Sequence, residues 1–444
     1  MPDSPAAHFA HEILAQLRAQ GHSAYWVGGC VRDLHLGLPI KDFDIATSAR
    51  PEAVLALFPH SELVGASFGV VLVKQPGLAI EVATYRSEDA YHDGRRPSLV
   101  QYETEPARDA ARRDFTINAL FHDPFTGATL DFHGGLGDLR TRTLRAVGNP
   151  AARFAEDHLR LLRAVRFAAR FSFTIEPQTA AAIQAHAPSL ARISAERIRV
   201  ELNRILTEGA ASHGLRLLDE LGLLAVVLPE VKALQGVAQP PEFHPEGDVW
   251  THTLLMLDLL TPPLDPVLAW GVLLHDIGKP VTQTITDRIR FNGHVEAGLR
   301  IAEPLLGRLR FSADDTERIL ALVQHHMRFM ELPRMKLSTQ KRFLRLPYFD
   351  QHLELHRVDC TSAQRGLDNY QLAQRLLREM PPEVVSPPPL VRGQDVLALG
   401  VPPGPRIRAL LAAVEEAQLE GSIEGREEAL ALLARLAATP STTP

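Results

Sequence analysis

Two adjacent glycines, Gly28 and Gly29, follow a short apolar run and lie shortly before Asp42-Phe43-Asp44, and this local order constrains the fold more than any other feature of the chain. Glycine reaches backbone conformations that other residues avoid, so the pair predicts a tight turn that leads towards the next strand. The backbone N–H groups of such a turn can bind phosphate. The segment Gly28–Asp33 therefore predicts a phosphate-binding turn within a small α/β unit.

Asp42 directly precedes the next predicted strand, Phe43–Ala46, and Asp44 lies within it. Because strand residues alternate between faces, we expect both carboxylates on one side and Phe43 in the core behind them. Carboxylate oxygens suit Mg²⁺ better than zinc, and two Mg²⁺ ions about 3.5–4 Å apart stabilise the attacking and leaving oxygens of a phosphoryl transfer. The pattern predicts a nucleotidyl-transfer site with Asp42 and Asp44 as its catalytic metal ligands. Glu81 is either a third carboxylate of this site or a strand residue that faces solvent.

Length and composition predict a globular protein of two to four domains, with 444 residues of which 45% are hydrophobic and 23% charged. The longest apolar stretch, Val267–Leu274, is far shorter than the roughly 20 residues that span a bilayer, and the amino end has no signal-peptide pattern. We therefore expect a cytoplasmic protein without a membrane partner. The two cysteines, Cys30 and Cys360, exclude a disulfide scaffold and a cysteine-rich zinc site.

Charge is distributed unevenly along the chain. The net charge is −6, yet the segment from Arg140 to Arg204 holds twelve arginines, no lysine and five acidic residues. The guanidinium group binds phosphate with two parallel hydrogen bonds, so this segment predicts contact with nucleic acid. An arginine-rich genome would give the same bias without a function.

The secondary-structure pattern predicts a multidomain α+β fold, with a small α/β head and otherwise helical segments. Helical spacing predicts an opening helix that stops at Gly21 and a second helix over Pro51–Phe58. The predicted strands are Tyr25–Val27, Phe43–Ala46, Val70–Val73 and Leu78–Ala83. Strand signals end near Asp138, and proline-rich stretches mark the later boundaries. We therefore expect four segments: the head (residues 1–137), a helical neck and body (138–228), a histidine-rich helical block (229–380) and a helical tail (381–444).

Two further motifs suit a nucleoside triphosphate. Arg112–Leu120 sets cations beside an acid and an amide, which can bind phosphates and a ribose hydroxyl. Glu156–Phe167 opens a helix on which Asp157, Arg160 and either Arg163 or Ala164 share one face. Together with the glycine turn and the Asp pair, these motifs predict one nucleotide site.

In this order, the motifs Gly-Gly-x-Val-Arg-Asp, Asp-x-Asp, Arg-Arg-Asp-Phe-Thr-x-Asn and Glu-Asp-x-x-Arg resemble those of class II tRNA nucleotidyltransferases. These are the CCA-adding enzymes, which share a superfamily with bacterial poly(A) polymerases, and the resemblance covers most of the chain. It implies template-independent addition of CCA, or of its terminal A, to tRNA from CTP and ATP. By the resemblance, the first motif comprises Gly28, Gly29, Arg32 and Asp33 with Asp42 and Asp44; Arg113, Asp114 and Asn118 hold the phosphates and sugar; and Asp157 and Arg160 read the base.

The base-reading role also has a physical basis. A carboxylate accepts a hydrogen bond from the exocyclic amine of C and A, and a guanidinium donates to the adjacent ring nitrogen, whereas G and U present an oxygen and an N–H there. Asp157 and Arg160 could therefore select C and A without a template. Arg163 and Arg166 either add to nucleotide or RNA phosphate binding or pair with Glu156 and Asp157.

The sequence favours the tRNA branch of this superfamily. The basic segment typical of poly(A) polymerases is missing, and Leu63–Val70 resembles the tRNA enzymes instead. Tyr85–Pro97 is predicted to be a mobile polar loop, and family members that add only CC lack such a loop. CCA addition and A addition alone both remain open, with a poly(A) polymerase as the alternative. The tail is expected to bind tRNA, and the oligomeric state is open.

The histidine-rich block resembles an HD phosphohydrolase domain. Its expected metal ligands are His252, His275, Asp276 and Asp359, with His294 and either His325 or His326 for a second ion; His325 stands in our predicted set. Such ligands suit a divalent transition metal such as Mn, Ni, Co or Fe. By the resemblance, the domain would act as a phosphatase, 2′-nucleotidase or 2′,3′-cyclic phosphodiesterase. Two further hypotheses are a phosphohydrolase with a nucleotide-sensing head and a non-catalytic RNA-binding protein.

Overall fold

The computed structural model describes residues 4–64, 69–91 and 97–439. The chain forms two compact units, Met1–Lys232 with Arg308–Arg310, and Ala233–Gly307 with Phe311–Pro444. Within the described ranges, no helix has the length and apolar character needed to cross a membrane.

The first unit contains a mixed β-sheet. Its strands are β1 (Ala24–Val27), β2 (Asp44–Thr47), β3 (Ser61–Val64), β4 (Val70–Gln75), β5 (Leu78–Thr84), β6 (Arg86–Tyr91), β7 (Pro97–Tyr102), β8 (Leu120–His122), β9 (Thr129–Asp131), β10 (Thr143–Leu144) and β11 (Thr174–Ile175). Among the described residues, seven of them form one sheet in the order β3-β4-β5-β2-β1-β8-β9. β2 and β5 run parallel, and their neighbours in this sheet pair antiparallel.

Helices cover this sheet and continue beyond it. They are α1 (Pro5–Ala19), α2 (Gly29–Leu36), α3 (Pro51–Leu57), α4 (Pro106–Ala111), α5 (Gly135–Thr141), α6 (Pro150–Glu156), α7 (Arg160–Phe171), α8 (Pro177–His186), α9 (Ala195–Thr207), α10 (Ala211–Glu220), α11 (Leu224–Val227) and α12 (Pro229–Lys232). In α1, the Ser4 hydroxyl caps the first turn and Phe9, Ile13 and Leu17 are buried. In α7, apolar residues recur at helical spacing and are buried, whereas Arg160, Arg163 and Arg170 are half-buried.

The second unit is largely helical. It contains α13 (Val249–Asp258), α14 (Pro266–Leu274), α15 (Lys279–Thr282), α16 (His294–Arg308), α17 (Ala313–His325), α18 (Leu337–Leu344), α19 (Phe349–Ser362), α20 (Asp368–Glu379), α21 (Pro382–Val385), α22 (Gly393–Ala398), α23 (Pro405–Leu419) and α24 (Arg426–Ala438), with the short hairpin β12 (Thr284–Ile285) and β13 (Ile289–Arg290). A 3₁₀ helix, His326–Met330, follows α17 directly. Phe329, Phe343 and Phe349 centre one apolar cluster here, and Val414 with Leu433 centres another in the tail.

The predicted α/β head with a helical remainder is confirmed. The strands β1, β2, β4 and β5 and the helices α1 and α3 lie within about two residues of their predicted bounds. Three short strands escaped the sequence pattern: β3 and β9 at the sheet edges, and β8 beside β9. The predicted loop over Tyr85–Pro97 is instead mostly an antiparallel hairpin of β6 and β7, with residues 92–96 outside the described ranges. Residues 65–68 of the Leu63–Val70 segment also lie outside them.

Candidate functional sites

The predicted glycine turn joins β1 to α2, a helix that the sequence pattern did not predict. Gly28 has φ +69°, a conformation that favours glycine. A Cβ atom at Gly28 would lie 3.1 Å from Nη1 of Arg113, so the missing side chain also lets this guanidinium approach the backbone. The first N–H groups of α2 and the Arg113 cation consequently lie side by side, which is a suitable arrangement for binding an anion.

Three carboxylates meet at the start of β2. Asp44 is the first residue of the strand, while Asp42 is exposed in the loop before it and Phe43 packs with its ring centroid 4.8 Å from that of Trp26. The parallel register of β2 and β5 pairs Asp44 with Glu81. Burial, reinforced by the negative charges of Glu81 and Asp42, raises the pKa of Asp44 to about 6 despite the opposing charge of Arg113.

A chain of polar side chains connects the turn to α7. Nη1 of Arg32 donates to Oδ1 of Asn118 at 2.8 Å, and Nδ2 of Asn118 donates to Oδ1 of Asp114 at 3.0 Å. Oδ2 of Asp114 in turn accepts from Nη2 of Arg163 at 2.6 Å. Arg32 also pairs with Asp33 at 2.8 Å, so Asp33 neutralises Arg32. The amide of Asn118 thus fixes the relative position of a cation and an anion.

Ion pairing determines the ionisation of the buried acids. Burial opposes ionisation of Asp114, but Arg163 and the hydrogen bond from Asn118 outweigh it and hold the pKa of Asp114 far below its usual range. Asp109 is fully buried and accepts from both Arg112 and Arg113, and these cations likewise lower its pKa against the effect of burial. Both acids are therefore charged at neutral pH and hold arginines in place.

Asp157 and Arg160 flank the start of α7, but each is paired with another residue. Oδ2 of Asp157 accepts from Nη2 of Arg197 on α9 at 2.7 Å. Nη1 of Arg160 donates to Oε2 of Glu156 at 2.6 Å, and its Nη2 donates to the carbonyl oxygen of Arg112 at 3.2 Å. Arg197 is a site residue that sequence reasoning missed, since nothing local links it to a motif 40 residues earlier.

Arg163 and Arg166 do not take the partners considered from the sequence. Arg163 pairs with Asp114. Arg166 is buried and donates to Oε2 of Glu201 at 2.7 Å, with Glu208 at 3.3 Å. Pairing with Glu156 or Asp157 is therefore wrong for the described structure, and the Arg166 guanidinium is largely satisfied inside the protein.

These residues line one cavity of about 530 Å³ in the first unit. Its lining includes nine arginines and three aspartates, so it is strongly cationic. Every member of our predicted nucleotide set except Asp33 lies on its wall: Gly28, Gly29, Arg32, Arg113, Asp114, Asn118, Asp157, Arg160, Arg163 and Arg166. Asp44 is also on the wall, next to this positive field. Such a cavity attracts a polyphosphate and places it beside a carboxylate cluster.

In the second unit, three histidines at helix ends belong to groups of possible metal ligands. Nδ1 of each lies 2.7–2.9 Å from a backbone carbonyl oxygen three residues earlier: His275 to Val272, His294 to Phe291 and His326 to Val323. A carbonyl oxygen only accepts, so each Nδ1 carries the hydrogen and each Nε2 keeps its lone pair for a ligand. The local backbone therefore selects the tautomer that binds metal.

The possible metal-ligand atoms form two neighbouring groups of three. Together these groups make up the metal-ligand cluster: His252, His275 and Asp359, and Asp276, His294 and His326. Asp276 has Oδ1 at 3.7 Å from Nε2 of His294 and 3.8 Å from that of His326. His252 has Nε2 at 3.3 Å from Oδ1 of Asp359, and His275 completes their trio. Oδ2 of Asp276 lies 3.0 Å from Nε2 of His275, which links the two trios.

The sequence left His325 and His326 undecided and placed His325 in the predicted set, and this choice is wrong for the geometry. His326 Nε2 lies 3.3 Å from Nε2 of His294, whereas the His325 ring packs 5.8 Å from His352, away from the cluster. The reason is that α17 ends at His325 and the chain turns into a 3₁₀ helix at His326. Burial also lowers the pKa of His326 to about 4, which keeps it neutral.

Sequence reasoning also missed residues around the cluster. Glu246 accepts from Nδ1 of His252 at 2.6 Å and from Nδ1 of His244 at 2.9 Å, and thereby orients His252. Lys279 is buried and pairs with Asp276 at 2.7 Å. The sequence offered a weak signal for Glu246, which lies only six residues before His252. Because Glu246 precedes helix α13, however, no helical spacing relates the two residues.

Gly278 lies two residues after Asp276 and packs against the start of α16. It permits close packing, because a Cβ atom there would overlap the carbonyl oxygen of His294 and the backbone of Gly298. The backbone of the His275-Asp276 segment therefore sits directly against the first turn of α16. This contact brings His294 to Asp276.

The donor set fits divalent metal ions. Nε2 of His252 and Nε2 of His275 are buried and have no hydrogen-bond partner among the described residues, although carboxylate oxygens lie nearby. A buried polar atom without a hydrogen-bond partner lowers the stability of the fold, and a bound cation would pair with it. The mixture of imidazole nitrogen and carboxylate oxygen is typical of transition-metal sites.

Comparison with known proteins identifies three family domains along the chain. A family model described as the Poly A polymerase head domain matches residues 24–145, one described as a probable RNA and SrmB-binding site of polymerase A matches residues 172–235, and an HD domain matches residues 249–359. A CCA-adding enzyme of Enterococcus faecalis is 33% identical over 435 residues, which cover 96% of this chain and 95% of that protein. The CCA-adding enzyme of Lacticaseibacillus paracasei is 42% identical over 62% of this chain and 69% of its own length.

Solved structures give the same result. The crystal structure of the Bacillus stearothermophilus CCA-adding enzyme in complex with CTP matches with a TM-score of 0.75 and 29% identity, and covers 97% of this chain and 98% of that one. The resemblance drawn from the motifs is thereby confirmed. With a relative aligned over almost its whole length and an HD model matched in the second unit, the chain belongs to the CCA-adding enzymes, a family of nucleotidyltransferases, and carries an HD domain.

Proposed function

We propose that this chain adds the CCA end to tRNA, without a template, from CTP and ATP. The observation that carries the proposal is the arginine-lined cavity beside Asp44, in a chain that aligns with CCA-adding enzymes over nearly its full length. The names and complexes of the relatives, which include CTP, ATP and tRNA, support these substrates.

In the proposed reaction, the 3′-hydroxyl of the RNA attacks the α-phosphate of the nucleotide and pyrophosphate leaves. Asp42 and Asp44 would hold Mg²⁺, which suits their oxygen donors and supplies positive charge at the attacking and leaving oxygens. Arg113 and the N–H groups after Gly28 would bind the triphosphate. Arg32, Asn118 and Asp114 would hold these groups and the sugar through their hydrogen-bonded chain.

Base selection would fall to Asp157 and Arg160. The carboxylate accepts from the exocyclic amine of C or A, while the guanidinium donates to the adjacent ring nitrogen. Because Arg197 and Glu156 bind these two side chains in the described structure, an incoming base has to replace both contacts. A base with the wrong pattern of hydrogen-bond donors and acceptors leaves these charged groups unpaired. A site of this kind can discriminate between bases by about 10⁴ or more.

A direct assay tests the addition reaction. The protein is incubated with two tRNA transcripts, one ending before CCA and one ending after CC, and with each nucleotide alone. Extension of the first transcript by CTP and of the second by ATP supports CCA addition. Extension of the second transcript alone identifies an A-adding enzyme, and long A tails on either transcript identify a poly(A) polymerase.

The metal-ligand cluster favours a second activity, and we propose that the HD domain hydrolyses phosphoesters with a bound transition metal such as Mn, Ni, Co or Fe. The orphaned imidazole nitrogens of His252 and His275 support the metal, which would supply an activated water. Metal analysis of the purified protein, followed by assay with a 2′,3′-cyclic nucleotide, tests this. Absence of both bound metal and turnover would reduce the domain to a scaffold.

A further inference from the structure

Two phenylalanine rings on α7 stack on one another inside the first unit. The ring centroids of Phe167 and Phe171 lie 6.2 Å apart, and the ring planes are 11° from parallel. Residues four apart on a helix share one face, so both rings lie on the same side of α7. Phe167 is buried and lines the arginine-rich cavity, whereas Phe171 is half-buried and is not among the described residues that line it.

Among the described residues, four guanidinium groups lie over these two rings. Cζ of Arg32 lies 5.3 Å from the centroid of Phe167 and 4.6 Å from that of Phe171. The other three arginines belong to α7 itself and lie 4.2–5.3 Å from a ring centroid: Arg163 and Arg166 at Phe167, and Arg170 at Phe171. The face of an aromatic ring attracts a cation, and this attraction is stronger away from water.

Arg32 differs from the other three arginines because it comes from the head. Its N–H groups donate hydrogen bonds to Asp33 at 2.9 Å and to Asn118 at 2.8 Å. A guanidinium can make these bonds and stack at the same time, because its N–H groups lie in its plane and leave both faces available. Arg32 is 5% exposed, so water contributes little to holding it. The rings and the two polar partners therefore determine where this cation lies.

Through Arg32, the rings connect the two halves of the nucleotide site. Arg32 lies on α2, directly after the glycine turn that would bind the triphosphate, whereas the rings lie on α7, which begins with the proposed base-reading residue Arg160. Phe115, in the segment Arg112–Leu120, also contacts Phe167 edge to face, with 5.8 Å between the centroids. A ligand that spans two sites binds tightly only if the separation of the sites matches its length.

We propose that Phe167 and Phe171 are positioning residues for nucleotide addition, which fix through Arg32 the separation between the triphosphate-binding turn and the base-reading pair. This role rests on the proposed addition reaction and deepens it. An aliphatic side chain of similar size would fill the same space but would not attract the face of the guanidinium group. The role therefore depends on the aromatic character of these two residues and not on their volume alone.

Two ligands of different length test this role. CTP would occupy both the triphosphate site and the base site, whereas inorganic tripolyphosphate would occupy only the first, and both affinities are measured by calorimetry on the full chain with Mg²⁺. Phe171→Leu should weaken CTP binding about tenfold and leave tripolyphosphate binding within about twofold, because only the longer ligand depends on the separation. Phe171→Tyr keeps the ring and should restore the affinity for CTP.

Phe173 provides a matched control. Phe173 is as buried as Phe167, at 4% exposure, and packs on Phe171 with 5.8 Å between the centroids, but the four guanidinium groups lie over Phe167 and Phe171 instead. Phe173→Leu removes apolar packing from the same cluster and should change the affinity for CTP by less than about twofold. Thermal unfolding of each variant checks that it folds. Every variant keeps the second unit unaltered, so a change in affinity reports on the first.

The outcomes separate this proposal from the addition reaction itself. Equal losses for CTP and tripolyphosphate, no loss for either, or the same loss of CTP binding in Phe173→Leu or Phe171→Tyr would overturn the positioning role even if the protein extends tRNA. A loss confined to CTP and absent from those two variants supports the role. If a protein with this binding pattern extends no tRNA, the addition reaction is overturned instead.

Discussion

The two candidate sites hold their functional side chains in opposite ways. In the first unit, Asp157 and Arg160 bind neighbouring charged side chains, at 2.7 Å to Arg197 and 2.6 Å to Glu156. In the second unit, backbone carbonyls hold Nδ1 of His275, His294 and His326, so that Nε2 of each imidazole remains available for a ligand.

This difference indicates how each site meets its ligand. Charged side chains that are already paired must exchange partners when a ligand binds. A ligand that does not form equivalent hydrogen bonds with them therefore binds weakly. Imidazoles held by the backbone need no rearrangement, so their geometry is ready for a metal ion. The first arrangement suits selection between similar bases, and the second suits one constant ligand.

The largest expected effect concerns the carboxylates of the first unit. Asp42→Ala with Asp44→Ala should lower the rate of nucleotide addition by about 10³-fold or more, because charge on the reacting oxygens loses its stabilisation. Filter binding of tRNA should change by less than about twofold. Metal content of the HD domain serves as the control and should be unaffected. Addition at a rate near that of the unaltered protein would contradict the proposed mechanism.

The next effect tests partner exchange at the base. Asp157→Ala with Arg160→Ala should reduce the preference for C and A over G and U by about 10²-fold or more, measured as ratios of kcat/KM for single nucleotides. Arg197→Ala is the matched variant, because it frees Asp157 while keeping the carboxylate. It should retain the preference. Strict incorporation of C and A by the double variant would rule out this assignment.

Arg166 tests whether pairing inside the first unit is structural. Its side chain is 3% exposed and faces Glu201, which is 4% exposed, so Arg166→Met should lower the free energy of unfolding by about 3 kcal/mol in urea titrations. Adding Glu201→Leu should recover most of the loss. Arg204→Ala breaks a more exposed pair with Glu208 and should cost less than about 1 kcal/mol. If Arg166→Met leaves stability unchanged but weakens nucleotide binding, Arg166 has a binding role instead.

Two adjacent histidines give the sharpest test of the second unit. His326→Ala should weaken metal binding by about 10–100-fold, whereas His325→Ala should leave it within about twofold, although the residues are neighbours in the chain. Metal affinity is read by competition with a chelating dye. The reverse pattern would show that the 3₁₀ turn presents the other ring.

The smallest effect depends on pH. The folded pKa of Asp109 is lowered, so its charge contributes stability above the unfolded value near 4, and this contribution is lost as the pH falls through the lower folded pKa. Unfolding of the unaltered protein between about pH 5 and pH 3 should show this loss, at less than about 1.4 kcal/mol per pH unit for one proton. Asp109→Asn should flatten the slope. An unchanged slope would indicate that other carboxylates account for it.

Local pattern predicted much of the molecule. The glycine turn and β2 followed from local spacing, because turns and strands are encoded within a few residues. The histidines of the second unit followed from the resemblance to an HD domain. The ligand choice between His325 and His326 did not follow, because it depends on where α17 ends. Arg197 was missed because its contact with Asp157 joins segments 40 residues apart through the packing of α7 and α9.

The parallel register of β2 and β5 has a consequence for how this protein can change. Asp44 and Glu81 lie opposite one another because the two strands hydrogen-bond in fixed register. The chain that connects them forms α3 and the strands β3 and β4, and these two strands lie on the other side of β5. Evolution or engineering can therefore lengthen or shorten the connections around the outer strand β3 while the acids stay opposed. A single deletion within β5, by contrast, would turn Glu81 to the far side of the sheet.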